Sequence, residues 1–410
     1  MKAPLLFLRL SAFVFISLMG LSSYGQDSHN QALTKSLEKL QKSSGYVGFS
    51  VAVVNKDGVL YQNAFGHADL KNKQPYTTGT VQNIASVSKT VIGVALMKAV
   101  ELGYFTLDTP INDILPWAVT NPETHAPILV KHLATHTSGI LDREEVYGKI
   151  FTFNTFSDSS APLYNWMKKE AVLTNRTDTT LASFLKEYVT ANGQHYSVKN
   201  FTSAGPGTTY AYSNIGSALA AYLIEVKAGM PFSAFCKKHI FKPLGMQQTA
   251  WFLTPDLAQA SSKNYSYKKK AYPLYSEITY PDGSLHTNLQ DLSRFLQEMI
   301  KGFQGTGTLL PGTAYAQLFQ KQFSEENAPQ DIKASEPNSG IFWAHRKNGQ
   351  IGHTGGDLGV TTLLYFDPAT GIGKIFMANT ELDNPSTGKV NQKLAEHLTA
   401  IWKALDAVKE

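Results

Sequence analysis

Apolar and polar positions recur with two periods along this chain, and the places where the period changes mark its elements. Residues 31–40 (QALTKSLEKL) keep apolar positions three and four apart, which predicts an amphipathic helix. After Gly45 the spacing contracts. Val47 to Val54 runs into Lys56-Asp57-Gly58 and resumes as Val59 to Phe65, the pattern of a β-hairpin. From Ile84 to Leu102 the chain is rich in Ala, Val, Leu and Met, lacks proline and meets Gly103, so a buried helix is expected there with a glycine at its C-terminal end. Ser86 stands at the start of that helix.

The middle, about residues 115 to 290, carries helical patterns at Leu181–Val189, Ser217–Lys227 and Leu289–Lys301, separated by polar loops rich in Pro and Gly. Towards the C-terminus, Gly340 to Gly352 turns at Asn348-Gly349. Gly359 to Phe366 then turns through Asp367-Pro368-Ala369-Thr370-Gly371 into Ile372 to Asn379, which reads as consecutive antiparallel strands. Val390 to Leu405 is a last helical pattern. Two strands early, three or four late, and a helix at each end predict an α/β (α+β) architecture. One antiparallel sheet is built from both chain ends (about 26–115 and 290–410), with a mostly helical lobe, about 116–289, inserted in it.

At 43% hydrophobic and 17% charged residues, the 410-residue chain can bury a large core. Its first 25 residues have the layout of a secretory signal peptide: Lys2 and Arg9, an apolar run from Leu10 to Leu21, then Ser22-Ser23-Tyr24-Gly25. The apolar run is shorter than the roughly 20 residues of a spanning helix, so an exported protein, periplasmic or secreted from a bacterium, is expected, with no stable membrane span after cleavage. No cysteine near Gly25 offers a lipid attachment point. Cleavage there removes two positive charges from a net +5 and leaves +3, too mild a charge for a nucleic-acid partner. Cys236 is the single cysteine, so no intramolecular disulfide can form. With Phe232, Phe235 and Ile240 it reads as a buried helix face.

Chemistry enters with the pattern Ser-x-x-Lys, which on a helix places hydroxyl and amine on one face. It occurs five times, at Ser36, Ser86, Ser183, Ser266 and Ser386, so context must choose. The lysine after four of these has charged or polar neighbours and should be solvated. Only Lys89 is embedded in apolar sequence, among Val87, Val91, Ile92 and Val94. Burial lowers a lysine's pKa, and a desolvated Lys89 could take the Ser86 proton near neutral pH.

Three motifs in order then resemble the serine β-lactamase and penicillin-binding protein superfamily, nearest its branch of class C β-lactamases, D,D-carboxypeptidases and related esterases. They are Ser86-Val87-Ser88-Lys89, Tyr212-Ser213-Asn214, and His353-Thr354-Gly355, standing where many relatives have Lys-Thr-Gly. His136-Thr137-Ser138-Gly139 resembles a further family segment outside the catalytic set. The resemblance runs from about residue 30 to 405 and implies a β-lactamase-like serine hydrolase domain over 26–410. It implies an acyl-enzyme on Ser86, Lys89 as general base, and Tyr212 relaying a proton. Asn214 would bond Lys89 or a substrate amide, and His353, Thr354, Gly355 and Gly356 would bind substrate. The backbone N–H groups of Ser86 and Gly356 would form the oxyanion hole, with Gly355 and Gly356 permitting close backbone approach.

His353 gives only a titratable charge near neutral pH where a lysine charge is fixed. That favours a D,D-peptidase or esterase over a class C-like β-lactamase; a penicillin-binding sensor without turnover is the alternative from another class. Small-molecule or peptide substrates are expected, cell-wall peptide among them, with no cofactor and no metal. His132 and His136 are four apart, as zinc ligands on a helix can be, but no acid lies between them and no third ligand stands out. Phe151, Phe153, Phe156, Tyr164 and Trp166, in a surplus segment at about 141–200, are expected to pack the helical lobe.

Overall fold

Strand β1 (Gly48–Val54) is buried along its whole length, because helices cover both faces of the sheet it belongs to. Its period of two divides its side chains between two cores. Phe49, Val51 and Val53 face Leu33 and Leu37 of helix α1 (residues 30–44) and Leu394 and Ile401 of a C-terminal helix. Ala52 and Val54 face the other way, into a larger core with Leu292, Phe295 and Leu296.

The computed structural model describes residues 30–172, 180–383 and 388–408. The expected signal segment and Ser386 lie outside them. β1 turns through Asn55, whose Oδ1 accepts from the N–H groups of Asp57 and Gly58, into β2 (Val59–Asp69), and β3 (Gln74–Pro75) follows. The late strands are β4 (Asn338–Ser339), β5 (Ala344–His345), β6 (Ile351–Asp357), β7 (Val360–Asp367) and β8 (Ile372–Ala378). Together they form one antiparallel sheet in the order β3-β2-β1-β8-β7-β6-β5-β4. The two ends of the chain meet where β1 pairs with β8, Val51 opposite Phe376.

Helix α2 (Ser88–Glu101) is buried on nearly every side, which is why its sequence is apolar all round instead of striped. It stops at Gly103, whose φ of 73° no β-carbon-bearing residue adopts cheaply. The intervening chain supplies helices α3 (Asn214–Ala228) and α4 (Leu289–Phe303) with shorter ones between. Ile215 and Leu219 of α3, Val91 and Val94 of α2 and Leu364 of β7 belong to one continuous core, so the helical region and the sheet are packed as a unit. The expected terminal helix is α5 (Gln392–Ala404).

Phe151 and Phe153 lie on a short strand paired with Tyr275–Glu277, and the Phe153 and Tyr164 rings stack at 4.5 Å. With Trp166 they pack around Met167, Ala171 and Tyr272. Cys236 is fully buried, and burial pushes its thiol far above the ordinary range. No single helix among the described residues is long and apolar enough to cross a membrane.

Candidate active site

The chain enters α2 through one 3-10 turn at Ala85–Val87. Ala85 has φ 48°, a left-handed conformation costly for a residue with a side chain, and its N–H is held by Asn83 Oδ1 at 2.5 Å. This turn leaves Ser86 half-buried between fully buried neighbours, with its hydroxyl towards a small cavity of about 160 Å³.

Lys89, one helical turn on, has no exposed surface. Its Nζ donates to Ser86 Oγ at 3.1 Å, Asn214 Oδ1 at 2.6 Å and the Asp282 carbonyl at 2.7 Å. An ammonium has three N–H donors, and each has an acceptor here. Burial pulls the amine's pKa down, but the Tyr212 phenol and the carboxyl groups of Asp282 and Asp142 outweigh it and hold Lys89 above the ordinary lysine range. The depressed lysine expected from the apolar sequence is therefore not what the fold provides. Desolvation is more than offset by acceptors that other segments bring in.

Tyr212 Oη donates to Ser86 Oγ at 2.8 Å. Its position follows from the start of α3. Asp142 accepts from Asn214 N–H at 2.7 Å, Ile215 N–H at 3.0 Å and the Ser213 hydroxyl at 3.1 Å. Ser213 Oγ in turn accepts from Gly216 N–H at 2.8 Å, a side-chain cap on the helix. The His136 ring lies 4.4 Å from that of Tyr212, and His136 Nδ1 accepts from Ser213 N–H. Thus the segment His136 to Asp142 forms the bed on which Tyr212-Ser213-Asn214 rests. Asp142 was not evident from sequence, because a lone Asp in a loop carries no periodic or motif signal.

β6 closes the site. A β-carbon on Gly355 would come within 2.4 Å of the Ile84 carbonyl and 3.2 Å of Ser86 N, so only glycine lets the strand lie against the Ser86 turn. Gly356 is different: a β-carbon there would meet nothing within 4 Å, so its expected role in close backbone approach does not hold. Thr354 and Gly356 line the cavity with Ser86 and Tyr212.

His353 also lines it but is only 8% exposed, and its Nδ1 is 2.5 Å from the Thr354 carbonyl. Burial first, then the Lys89 cation, push its pKa to about 3. The ring is neutral at neutral pH, so the titratable charge expected of it is absent, since this position is enclosed and already faces a cation.

The structure brings Ser86, Lys89, Tyr212, Asn214, His353, Thr354, Gly355 and Gly356 to one place. Of the rival Ser-x-x-Lys pairs that are described, Lys39, Lys186 and Lys269 are exposed. His132 and His136 do not share a helix, which ends at Ala134, and His132 Nδ1 accepts from Leu129 N–H. Among the described residues no group of three or more His, Cys, Asp or Glu could hold a metal ion. None of Phe151, Phe153, Phe156, Tyr164 and Trp166 lines the cavity, but Lys333 and Glu336 do, and neither carries a motif signal in the sequence.

A half-buried serine flanked by a buried lysine and a tyrosine, in the turn that leads into a helix beside an antiparallel sheet, is the layout of an acyl-transferring serine hydrolase. The beta-lactamase family profile matches residues 33–399, and the chain belongs to that family of serine hydrolases. Penicillin-binding protein 4* of Bacillus subtilis is 24% identical over 90% of this chain and 75% of its own length. The D-alanyl-D-alanine-carboxypeptidase/endopeptidase AmpH of Escherichia coli is 22% identical over 86% of this chain and 85% of its own. An Escherichia coli beta-lactamase is 23% identical over 92% and 93%. The octameric penicillin-binding protein homologue from Pyrococcus abyssi shares the fold, with TM-score 0.69 and 19% identity over 91% of this chain and 77% of that one.

Proposed function

We propose that the protein is an exported serine hydrolase of the D,D-peptidase or esterase type, forming an acyl-enzyme on Ser86. The observation that carries this is Ser86 Oγ placed between Lys89 Nζ at 3.1 Å and Tyr212 Oη at 2.8 Å at the wall of a cavity. Ser86 Oγ adds to the carbonyl carbon of an amide or ester; the Tyr212 hydroxyl turns from Ser86 Oγ towards the leaving nitrogen or oxygen and gives it its proton while Tyr212 Oη accepts the proton of Ser86. The C–N or C–O bond breaks and an ester on Ser86 remains. Water repeats the step in reverse roles and frees the serine.

Lys89 acts here as a fixed ammonium, offsetting the negative charge that develops on Ser86 and Tyr212, which makes Tyr212 the first proton acceptor. The N–H groups of Ser86 and Gly356 receive the carbonyl oxygen, a contribution of about 3 kcal/mol for each donor. Substrates are small molecules or peptides, cell-wall peptide included. The chemistry requires no cofactor. The uncharged His353 in the third motif supports a peptidase or esterase above a β-lactamase.

Labelling with a fluorophosphonate, together with turnover of a p-nitrophenyl ester, a cephalosporin and a D-Ala-D-Ala peptide, tests the reading. Ser86→Ala is expected to lose all labelling and turnover while keeping its circular dichroism spectrum. Undiminished labelling of the variant would refute it. One equivalent of acylation without turnover would identify a penicillin-binding sensor instead.

A further inference from the structure

In the proposed reaction the carbonyl oxygen is received by two N–H groups on different elements, that of Ser86 in the turn Ala85–Val87 and that of Gly356 on β6. Both must face one oxygen, so the turn has to be held at a fixed position against the strand. One side chain reaches the flanks of both. Asn83 Oδ1 accepts from the N–H of Ala85, the residue before Ser86, at 2.5 Å. Asn83 Nδ2 donates to Oδ2 of Asp357, the residue after Gly356, at 3.4 Å.

Backbone pairing places Asn83 for this. It is buried in a two-residue strand, Gln82–Asn83, opposite His286–Thr287, and the N–H of Ile84 donates to the Leu285 carbonyl at 3.0 Å. Asp357 is held from two further sides. Its Oδ1 accepts from Leu358 N–H at 2.7 Å, and its carboxyl is hydrogen-bonded to that of Glu277. Two carboxyl groups bond to each other only when one keeps a proton. Burial raises the pKa of both, while their mutual bond raises that of Glu277 and lowers that of Asp357, so Glu277 is the donor and Asp357 the ionised acceptor. Ala85, with its left-handed φ of 48°, is strained, and its N–H bond to Asn83 holds it in that conformation.

We propose that Asn83 is a positioning residue for acyl transfer, whose amide bridges Ala85 and Asp357 and thereby fixes the N–H groups of Ser86 and Gly356 as one receptor for the carbonyl oxygen. This rests on Ser86 as the nucleophile. Neither Asn83 nor Asp357 belongs to the three motifs. An amide suits the bridge because it offers an acceptor to one side and a donor to the other, which a carboxylate does not.

Asn83→Asp keeps an acceptor for Ala85 N–H but loses the donor and sets a second carboxylate against Asp357. With p-nitrophenyl acetate, kcat is expected to fall at least about tenfold in Asn83→Asp and in Asn83→Ala, with KM within about threefold of wild type. The rate of labelling by a fluorophosphonate, whose phosphoryl oxygen enters the same receptor, should fall in parallel. The reciprocal variant Asn83→Asp/Asp357→Asn puts the donor on the strand side and the acceptor on the turn side, and should recover at least about threefold of the lost kcat. All rates are taken well below the melting temperature of each variant, and if Asn83→Ala does not fold the other two decide. Wild-type kcat in Asn83→Asp overturns the proposal whatever its stability. A double variant no faster than Asn83→Asp also overturns it, because the amide then forms no bridge. Ser86→Ala separates the two assignments: if it is inactive while the Asn83 variants keep wild-type kcat, the bridge fails alone, and if it still turns over, the nucleophile fails and the bridge with it.

Discussion

Tyr212 Oη sits 2.8 Å from Ser86 Oγ across 126 residues of sequence, and a third segment fixes that contact. The carboxylate of Asp142 takes three hydrogen bonds from Ser213, Asn214 and Ile215, and so sets where α3 begins and where Tyr212, two residues before it, points. The same cap places Asn214 Oδ1 against Lys89, which ties the second motif to the first.

Asp142 is accordingly a positioning residue for Tyr212. Asp142→Ala is expected to lower kcat by about tenfold to a hundredfold, the worth of charge-assisted bonds no longer made, with KM changed much less. Asp142→Asn keeps one acceptor oxygen and should recover part of the loss. Measuring kcat and KM well below the melting temperature of each variant separates misplacement from unfolding. A variant that loses stability but keeps wild-type kcat would show that Asp142 does not position Tyr212.

The neutral His353 has a consequence for pH dependence. With its pKa held near 3 by burial and by Lys89, it is uncharged throughout the neutral range. Profiles of kcat/KM between about pH 5 and 8 for a carboxylate-bearing and a neutral ester should therefore run parallel, with no step near the ordinary histidine pKa of about 6.5. A fall confined to the anionic ester as pH rises through that value would restore a charged His353.

Asp282 offers a stability test. Its side chain is buried, with Oδ1 accepting from Tyr147 Oη at 3.0 Å, and burial raises its pKa from 3.8 to about 7. Between these values the folded protein keeps a proton that the unfolded chain has released, so this group's contribution to stability falls as pH rises from about 4 to about 7. Asp282→Asn cannot titrate and keeps an acceptor for Tyr147. Its stability relative to wild type should thus climb across that window and level off above it, read from urea midpoints at constant m-value. A relative stability that falls over the same window would mean that the carboxylate is stabilised by Lys89 instead of being destabilised by burial.

Much of the fold is visible in the one-dimensional pattern because it reflects local geometry. The hairpin at Asn55–Gly58, the buried helix after Ser86 with its stop at Gly103, and the two late strands joined through Asp367–Gly371 all follow from period and turn chemistry. The single sheet built from both chain ends follows for a similar reason, since strands as apolar as β1 and β8 need partners and cover on both faces. The candidate nucleophile could also be singled out, as Lys89 is the lysine of its pattern with apolar neighbours.

The charge states are another matter. Apolar neighbours in sequence signal that Lys89 is buried, but its pKa depends on what it meets there: the Tyr212 phenol and the carboxyl groups of Asp282 and Asp142, all from segments distant along the chain. The same holds for His353, whose enclosure and proximity to Lys89 belong to the packing of β6 against α2. Asp142 carries no local signature, because a single polar residue in a loop acquires a role only from the atoms placed opposite it. Sequence alone determined the elements, the sheet and the three motifs, since these depend on residue spacing. Tertiary structure alone decided which groups are charged and which residues orient them, because electrostatic energy depends on distances through space and on burial, and spacing along the chain fixes neither.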